Sequence, residues 1–554
     1  MISLSRIFTV WNCIFLAALT VLFLFVVYPM YSIFQASLLD AYSGNFTWDN
    51  YTTIFKTPFY QRCLYNSLFM SVAATFFSIL VGVPFAFFTT RFKLPFANSL
   101  RTLGTLPLIL PTFIGAEAWL LLMGRSGFVT KFMEGLGITL PSIVGWQGVV
   151  LVFTLQFFPF VFLMVASAIN SVDRSLEESA RNLGATPWRV FRTVTLPVIT
   201  PAIAAGGLIV FCMSIENFGV PTIIGGDFKV LAEQAYSEFI SEMGGNPSMA
   251  GSLSSVLVFI TLGITVLQKF WVERKSYAMS ALRPPEVKEL PPFLKWSAWG
   301  FCALLLFLAL APFALILLAA VTKTNGPVMY YGQFSLTNLT AALKVAPRPI
   351  INSFFFSTLA TLIGMVFGMA VSYLIVRKRG LPAYTLDLAM MLPLVIAGSV
   401  MGIALAATYN SGPVVLTGTW MIPVIAYFIR KTPFSVKTTS ALLQQIDPAV
   451  EEASINLGVP PLRSFLKVVA PSMLPGIVAG AIIMWVTILA ELSSTIVLYY
   501  GPWSTMTVQV FQYIGSGDFG PASAYGAILI VSVLLPLFLL NRFFGKGVAP
   551  SLNI

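Results

Sequence analysis

The chain has 554 residues, of which 57% are hydrophobic and only 10% are charged, and its mean hydropathy is +0.86. This composition argues against a soluble globular enzyme and is typical of a polytopic membrane protein. The net charge of +11 does not indicate nucleic-acid binding, because most Lys and Arg residues lie in loops on one side of the predicted spans. There is no histidine and there are only four scattered cysteines, so the sequence offers no metal-ligand pattern and no histidine base.

Twelve apolar runs are long enough to cross a bilayer as helices, which takes about 20 residues. They form two groups of six, separated by a charged, proline-rich segment. The first run lacks a small-x-small cleavage site, so we expect a retained span rather than a signal peptide. The predicted spans are residues 8–34, 66–90, 102–124, 146–170, 197–222, 251–271, 296–321, 352–376, 385–408, 417–434, 472–498 and 521–542.

A polar, basic segment at residues 173–201 overlaps the start of the fifth predicted span. Its sequence predicts a helical hairpin. Asp173 suits the cap of a first helix, and Gly184 suits the left-handed residue that ends it. Pro187 then opens a second helix, and Pro197 is expected to end that helix before the apolar sequence resumes. Such a hairpin between two spans predicts a docking surface for a cytoplasmic partner.

The second group of spans repeats this segment at residues 447–475, so that Gly458 lies 274 residues after Gly184. An earlier part of the chain repeats as well, since Asn352 matches Asn66 at a distance of 286 residues. The two groups are therefore an internal duplication. Because an even number of spans separates the copies, we expect the halves to pack around a pseudo-two-fold axis along the membrane normal.

Both copies of the polar segment carry a glutamate, two small residues, a glycine, an aromatic residue and a Leu-Pro or Ala-Pro pair. The residues of the pattern are Glu178, Ala180, Gly184, Phe191 and Pro197 in the first copy and Glu452, Ser454, Gly458, Phe465 and Pro471 in the second. This pattern resembles the cytoplasmic coupling loop of permeases of binding-protein-dependent ABC importers, and the chain resembles the fused permeases of the ferric-iron uptake group. The resemblance implies an all-α polytopic fold of two tandem six-span halves, like that of type I ABC importer permeases.

The resemblance also implies roles for the coupling residues. Glu178 and Glu452 are expected to anchor each loop in a cleft of an ATPase subunit, and Phe191 and Phe465 to fill that cleft as apolar plugs. An equal alternative is that the two phenylalanines hold the hairpin onto the membrane spans. For the segment as a whole the alternative is a generic amphipathic loop, and the in-register repeat argues against it.

The duplication predicts a first half at residues 1–271, a linker at 272–295 and a second half at 296–554. The positive-inside rule places both coupling loops, and with them both chain termini, in the cytoplasm. We therefore expect a multi-pass protein of the bacterial inner membrane. Its outer face would receive one periplasmic or lipid-anchored binding protein.

Three glutamates lie within predicted spans, where an ionised group is costly unless it faces a cavity or has a partner. Glu216 with Asn217, and Glu491 with Ser494, follow the two coupling loops at similar depth. We predict that these four residues line the translocation pathway, while hydrogen bonds that lock helices or a gate are an equal alternative. Glu117 has no acidic counterpart, so we expect a structural role for it.

The sequence contains no G-x-x-x-x-G-K-[ST] phosphate-binding motif, no catalytic constellation and no metal-ligand cluster. We therefore expect no enzyme and no cofactor in this chain, with ATP and Mg²⁺ bound by two copies of a separate ATPase subunit. The resemblance implies ferric iron as the cargo, with phosphonates or phosphate esters, thiamine and polyamines as alternatives. An ion-coupled secondary transporter is the alternative from another class, and the matched coupling loops argue against it.

Overall fold

The computed structural model describes residues 10–41, 43–241, 245–272, 287–326, 328–378 and 380–544. Most of the predicted linker lies outside the described residues. The first half contains α1 (Val10–Leu22), α2 (Tyr28–Ser37), α3 (Asp49–Lys56), α4 (Pro58–Arg91), α5 (Ala97–Thr105), α6 (Thr112–Met123), α7 (Phe128–Gly135), α8 (Trp146–Ser171), α9 (Arg174–Asn182), α10 (Pro187–Val190), α11 (Leu196–Ile215), α12 (Gly219–Ile224), α13 (Leu231–Ile240) and α14 (Pro247–Val272).

The second half begins with α15 and a two-stranded antiparallel hairpin and is helical thereafter. Its elements are α15 (Pro292–Ala320), β1 (Thr322–Asn325), β2 (Val328–Phe334), α16 (Thr337–Thr340), α17 (Arg348–Arg377), α18 (Leu381–Val395), α19 (Gly398–Thr408), α20 (Met421–Gln445), α21 (Pro448–Asn456), α22 (Pro461–Ser464), α23 (Ala470–Leu489), α24 (Thr495–Leu498), α25 (Met506–Gly515) and α26 (Phe519–Phe544). Short π-helical turns lie at Phe23–Val27, Phe191–Thr195, Ala341–Val345 and Phe465–Val469, and 3-10 turns at Leu106–Leu108 and Gly501–Trp503.

The described residues contain counterparts of all twelve predicted spans. Eight single helices are long and apolar enough to cross a membrane, and three bent pairs of helices qualify when each pair is counted as one span. The remaining predicted span corresponds to α20, which is less apolar because it carries Arg430, Lys431 and Lys437. The all-α architecture of two six-span halves is therefore confirmed.

The third, ninth and eleventh predicted spans are wrong as single straight helices. The eleventh bends by 69° between Leu474 and Gly476, and the other two bend more sharply. The segment through α5 and its 3-10 turn meets the segment that begins with α6 at 100°, and α18 meets α19 at 99°. Pro107 and Pro111 lie at the first break, and Pro393 lies just before the second. Proline removes a backbone donor and crowds the preceding turn, so a helix bends or stops there.

The first span of each half packs against the opposite half, an exchange that the sequence did not predict. In the first half, α2 packs on α19, and the Tyr409 hydroxyl donates a hydrogen bond to the Leu24 carbonyl at 2.7 Å. In turn, α15 enters the core of the first half, where Phe301 lies 6.0 Å from Phe88 between ring centroids. The two packed bodies therefore exchange their first helices, and the predicted domain boundaries stay a prediction about the sequence.

The duplicated asparagines hold the segments that follow the fifth and eleventh predicted spans. The Asn66 amide donates to the Lys229 carbonyl at 2.8 Å, and its match Asn352 donates to the Ser504 carbonyl at 2.8 Å. The serine after each asparagine accepts a backbone N–H from the same segment, at 2.8 and 2.9 Å. The duplication in sequence is thus also a duplication of tertiary contacts.

Candidate coupling hairpins and central cavity

The predicted hairpins are present in both halves, as α9 with α10 and as α21 with α22. Asp173 and Asp447 each accept a hydrogen bond at 2.9 Å from the backbone N–H two residues further on. Gly184 and Gly458 have left-handed φ angles of 82° and 87°, which favour glycine. Local chemistry therefore sets the shape of the turn, as the sequence predicts.

The expectation that Pro197 and Pro471 end the second hairpin helix is wrong. The chain continues through a π-helical turn directly into α11 in the first half and α23 in the second. In each turn, the residue before the proline donates its N–H to the carbonyl five residues back. A proline has no N–H and its ring crowds the carbonyl four residues before it, so a wider turn lets the helix continue. Each hairpin therefore continues helically into the first turns of the span that follows it, and the span after the second hairpin then bends by 69° between Leu474 and Gly476.

A buried glutamate next to each predicted anchor ties the hairpin to its own half. Glu177 pairs with Arg91 at the end of α4. Glu451 accepts a hydrogen bond from the Tyr373 hydroxyl of α17 and lies 3.5 Å from Arg377 Nε. We did not predict these contacts from the sequence, although both glutamates and both arginines are duplicated and that repeat could have revealed them.

The predicted anchors themselves lie on the accessible side of each hairpin. Glu178 forms a partly exposed ion pair with Arg174, one turn earlier, at 2.5 Å. Glu452 is exposed. Ala180 and Ser454 supply backbone carbonyls that accept N–H groups from the turn at 3.1 and 3.2 Å. The two anchors are accessible to a partner, and their coupling role stays a prediction.

The two phenylalanines pack within the chain. The Phe191 ring lies 5.2 Å from Phe87 between centroids, and the Phe465 ring lies 4.9 Å from Tyr373. Phe465 is only 5% exposed. The structure therefore supports the alternative in which these rings hold the hairpins onto the spans, and the prediction of an apolar plug is wrong for Phe465.

Two leucines that the sequence analysis missed are the prominent apolar side chains of the hairpins. Leu183 is 89% exposed and Leu457 is 85% exposed, each directly before the left-handed glycine of its turn. They lie 274 residues apart, so the repeat contained the signal for them. The same large apolar side chain is therefore exposed at the turn of both hairpins.

A cavity of about 780 Å³ is lined by both halves. Its walls include the breaks of the third and ninth spans and the spans that follow the coupling hairpins, together with residues of α8, α14, α20 and α26. The charged residues on its walls are Glu216 from the first half and Arg430, Lys431 and Glu491 from the second. The cavity therefore brings together the residues that stand at the far ends of α11 and α23.

The second half carries a buried ion cluster at this cavity. Glu491 lies 2.6 Å from Arg430 Nη1 and 3.0 Å from Lys431 Nζ, and all three side chains are largely buried. A Cβ at Gly398 would lie 2.5 Å from Arg430 Nη1, so the glycine leaves room for the guanidinium. The sequence analysis missed the two cations, although adjacent basic residues within a predicted span were a visible signal.

The first half has a neutral residue in the place of Arg430. Gln156 lies 274 residues earlier and donates hydrogen bonds to the Pro107 carbonyl and, at 2.6 Å, to the Leu110 carbonyl. These are backbone acceptors at the break before α6, where no helical donor reaches them. The matching positions therefore differ in role: the amide holds the broken span in the first half, whereas the guanidinium pairs with Glu491 in the second.

Glu216 and Asn217 both line the cavity, and their place in the translocation pathway stays a prediction. Among the described residues, the structure shows no ion pair to the Glu216 carboxylate. The Asn217 amide donates to Thr112 Oγ1 at 3.0 Å and accepts the Val220 N–H at 3.1 Å, which fixes the start of α12. Glu216 therefore faces the cavity, while Asn217 also has a structural role.

The prediction that Ser494 faces the pathway is wrong. Ser494 is fully buried and lies 3.4 Å from the Glu491 carboxylate, while its neighbour Ser493 lines the cavity. The reason is that α23 ends at residue 489, so helical spacing does not extend this far. Glu117 is also fully buried and accepts a hydrogen bond from Ser523 in α26 at 3.1 Å, as its expected structural role requires.

Residues 75–274 and 381–550 each match the family described as "Binding-protein-dependent transport system inner membrane component". The chain belongs to this family. Each matched segment contains one coupling hairpin and one wall of the cavity, so the duplicated unit is the family's unit. The chain is therefore a multi-pass inner-membrane permease of an ABC importer.

Curated relatives differ in how much of the chain they match. "Ferric transport system permease protein FbpB" of Actinobacillus pleuropneumoniae is 27% identical over 97% of this chain and 78% of that protein. "Putative ferric transport system permease protein FbpB 1" of Haemophilus influenzae is 28% identical over 87% of this chain and 77% of that protein. "Molybdenum transport system permease protein ModB" of Escherichia coli K12 is 32% identical over 40% of this chain and 97% of that protein. The ferric transport relatives therefore match both halves, whereas the molybdenum relative has the length of one.

Proposed function

We propose that this chain is the permease through which ferric iron passes from an external binding protein to the cytoplasm. The observation that carries the proposal is the similarity to ferric transport permeases along both halves. The cavity adds support, because Glu216 presents a carboxylate there and hard metal cations take oxygen ligands.

We assign ATP hydrolysis to two copies of a separate cytoplasmic ATPase subunit, which bind ATP and Mg²⁺ and contact one hairpin each. The matched, exposed Leu183 and Leu457 support this arrangement. Because each hairpin continues helically into the start of α11 or α23, a displacement of the hairpin moves the start of that span. Glu216 and Glu491 lie just beyond the far ends of these helices, so movement of the ATPase subunits would change the cavity wall.

The orientation follows from the same assignment. Both hairpins and both chain termini lie in the cytoplasm, on the side where basic loop residues are enriched. The opposite face, which includes α3, the β1–β2 hairpin and the segments held by Asn66 and Asn352, receives one periplasmic or lipid-anchored binding protein.

The cargo is tested by reconstituting the chain with its ATPase and its binding protein in proteoliposomes. We expect uptake of radiolabelled ferric iron that requires ATP on the hairpin side. Phosphonate, thiamine and polyamine are measured in parallel, and uptake of one of these in place of iron would reassign the cargo. Uptake driven by an ion gradient without the ATPase would contradict the ABC mechanism.

Replacement of Glu216 by glutamine is expected to lower ferric uptake about tenfold, which corresponds to roughly 1.4 kcal/mol of lost interaction with the cation. Thermal stability is expected to stay close to that of the wild type, because Glu216→Gln leaves no described cation without its partner. Thr487→Val on the same cavity wall is the control and is expected to retain uptake. Wild-type uptake in Glu216→Gln would remove this carboxylate from the pathway.

A further inference from the structure

The two halves differ at the membrane end of their coupling hairpins. In the second half, Phe465 and Tyr373 form an edge-to-face pair at 4.9 Å and 67°, and the Trp11 ring packs on both. Trp11 is stacked on Tyr373 with centroids 4.0 Å apart and is largely buried. An indole from the exchanged first span therefore fills this place in the second half.

The first half repeats the aromatic pair without the third ring. Phe191 and Phe87 occupy the matching positions and meet at 5.2 Å and 69°, nearly the same geometry. In the described part of the chain, no side chain of α15 lines the space beside them, although α15 is the counterpart of the helix that carries Trp11. A cavity of about 770 Å³ opens there instead, with Trp188 and Phe88 on its walls. The place that is filled by an apolar side chain in one half is thus an open apolar cavity in the other.

This cavity also carries an excess of positive charge. Arg91, Arg181 and Lys288 line it together with a single acidic residue, Glu177. Arg91 is engaged by Glu177, and Lys288 Nζ lies 3.8 Å from the same carboxylate. The second half has Ile455 in the place of Arg181, so this hairpin cation is particular to the first half.

The position of the cavity identifies the kind of ligand. It lies where α4 ends and the coupling hairpin begins, which is the level of the lipid headgroups on the hairpin side. Basic pockets at the cytoplasmic ends of membrane helices attract anionic lipid headgroups, and apolar walls accept the chain that is attached to them. Trp188 is 70% exposed at the mouth, as expected for an aromatic ring at a membrane–water interface.

We propose that this cavity binds one anionic phospholipid of the cytoplasmic leaflet. Its phosphate lies at Arg181 and Lys288, and its apolar part lies against Phe87, Trp188 and Phe191. The lipid then fills the place that Trp11 fills in the second half and holds the first hairpin to the bilayer. The proposal does not depend on the identity of the cargo.

The test is quenching of Trp188 fluorescence by brominated lipid in nanodiscs that contain the full chain. The nanodiscs consist of phosphatidylethanolamine with either dibrominated phosphatidylglycerol or dibrominated phosphatidylcholine, and the difference between wild type and Trp188→Phe isolates the signal of this residue. We expect quenching by the anionic lipid at fractions where the neutral lipid gives none. Arg181→Gln and Lys288→Gln are each expected to raise the half-quenching fraction about fivefold, the factor that corresponds to about 1 kcal/mol per basic residue.

Matched variants complete the test. Arg463→Gln removes an exposed cation from the second hairpin and is expected to leave the quenching unchanged. Arg181→Lys keeps the positive charge that Arg181→Gln removes, and it is expected to give the half-quenching fraction of the wild type. Equal quenching by both lipids would show only annular contact and overturn the proposal. Absence of quenching by either lipid would show that protein, such as the linker between the halves, fills the cavity, and would overturn it as well.

Discussion

Replacement of Glu491 by glutamine is expected to destabilise the protein by about 3 kcal/mol and to abolish uptake. Glu491 is the carboxylate that balances both Arg430 and Lys431, at 2.6 and 3.0 Å, and none of the three side chains is more than 15% exposed. Removal of one partner of a buried pair leaves an uncompensated charge, which costs about 3–5 kcal/mol. We take the lower end of that range because the cluster borders a cavity. Thermal unfolding of the purified chain and uptake in proteoliposomes measure the two effects.

Two further variants distinguish the buried cluster around Glu491 from an exposed ion pair by their effect on stability. Lys437, on the same helix as Arg430, pairs with Asp387 at 3.0 Å on the surface. Asp387→Asn is expected to cost less than about 1 kcal/mol, as exposed pairs do. Replacement of all three members of the cluster by methionine is expected to restore stability, since no buried charge remains, but not uptake. A melting temperature of Glu491→Gln that equals that of Asp387→Asn would contradict a buried cluster.

Replacement of Leu183 by aspartate is expected to lower permease-stimulated ATPase activity at least about tenfold, and Leu457→Asp is expected to do the same. Full burial of a leucine in a partner's cleft contributes about 1.5–3 kcal/mol, and an aspartate there also brings an unpaired charge into an apolar site. The double variant is expected to abolish stimulation. Because both leucines are more than four-fifths exposed, the melting temperature of the isolated chain is expected to stay unchanged.

The control for the hairpin leucines is a leucine of similar exposure elsewhere. Leu136 is 62% exposed in the segment after α7, on the side opposite the hairpins, and Leu136→Asp is expected to leave ATPase stimulation intact. Stimulation is measured with the purified ATPase at fixed lipid composition. Full stimulation by the double variant would show that the tips of the hairpins do not contact the ATPase.

The coupling hairpins show which structural features short sequence motifs predict. The caps at Asp173 and Asp447 and the left-handed turns at Gly184 and Gly458 follow from side-chain chemistry within a few residues, and the structure has them as predicted. The continuation through Pro197 was not predicted, because proline usually ends a helix and the π-helical turn that accommodates it leaves no compositional signal.

The central cavity shows which structural features sequence motifs do not predict. Glu216 and Glu491 could be singled out because a carboxylate in an apolar run is costly. Their different environments could not be predicted, since Arg430 and Lys431 approach Glu491 from another helix about 60 residues away in sequence. Helical spacing also misplaced Ser494, because α23 ends before that residue.

The sequence by itself determined the topology, the duplication, the position of the two hairpins and the class of transporter. These properties depend on the length of apolar runs, on the distribution of charge and on short motifs, all of which act within one segment. Only the tertiary structure decided the exchange of first spans, the burial of Glu177 and Glu451 and the ion cluster at the central cavity. It also decided that Trp11 packs beside the aromatic pair of the second hairpin, whereas a cavity lies beside the matching pair of the first. Those features depend on which faces of distant helices meet, and the free energy of such contacts is a property of the assembled bundle rather than of any one stretch of chain.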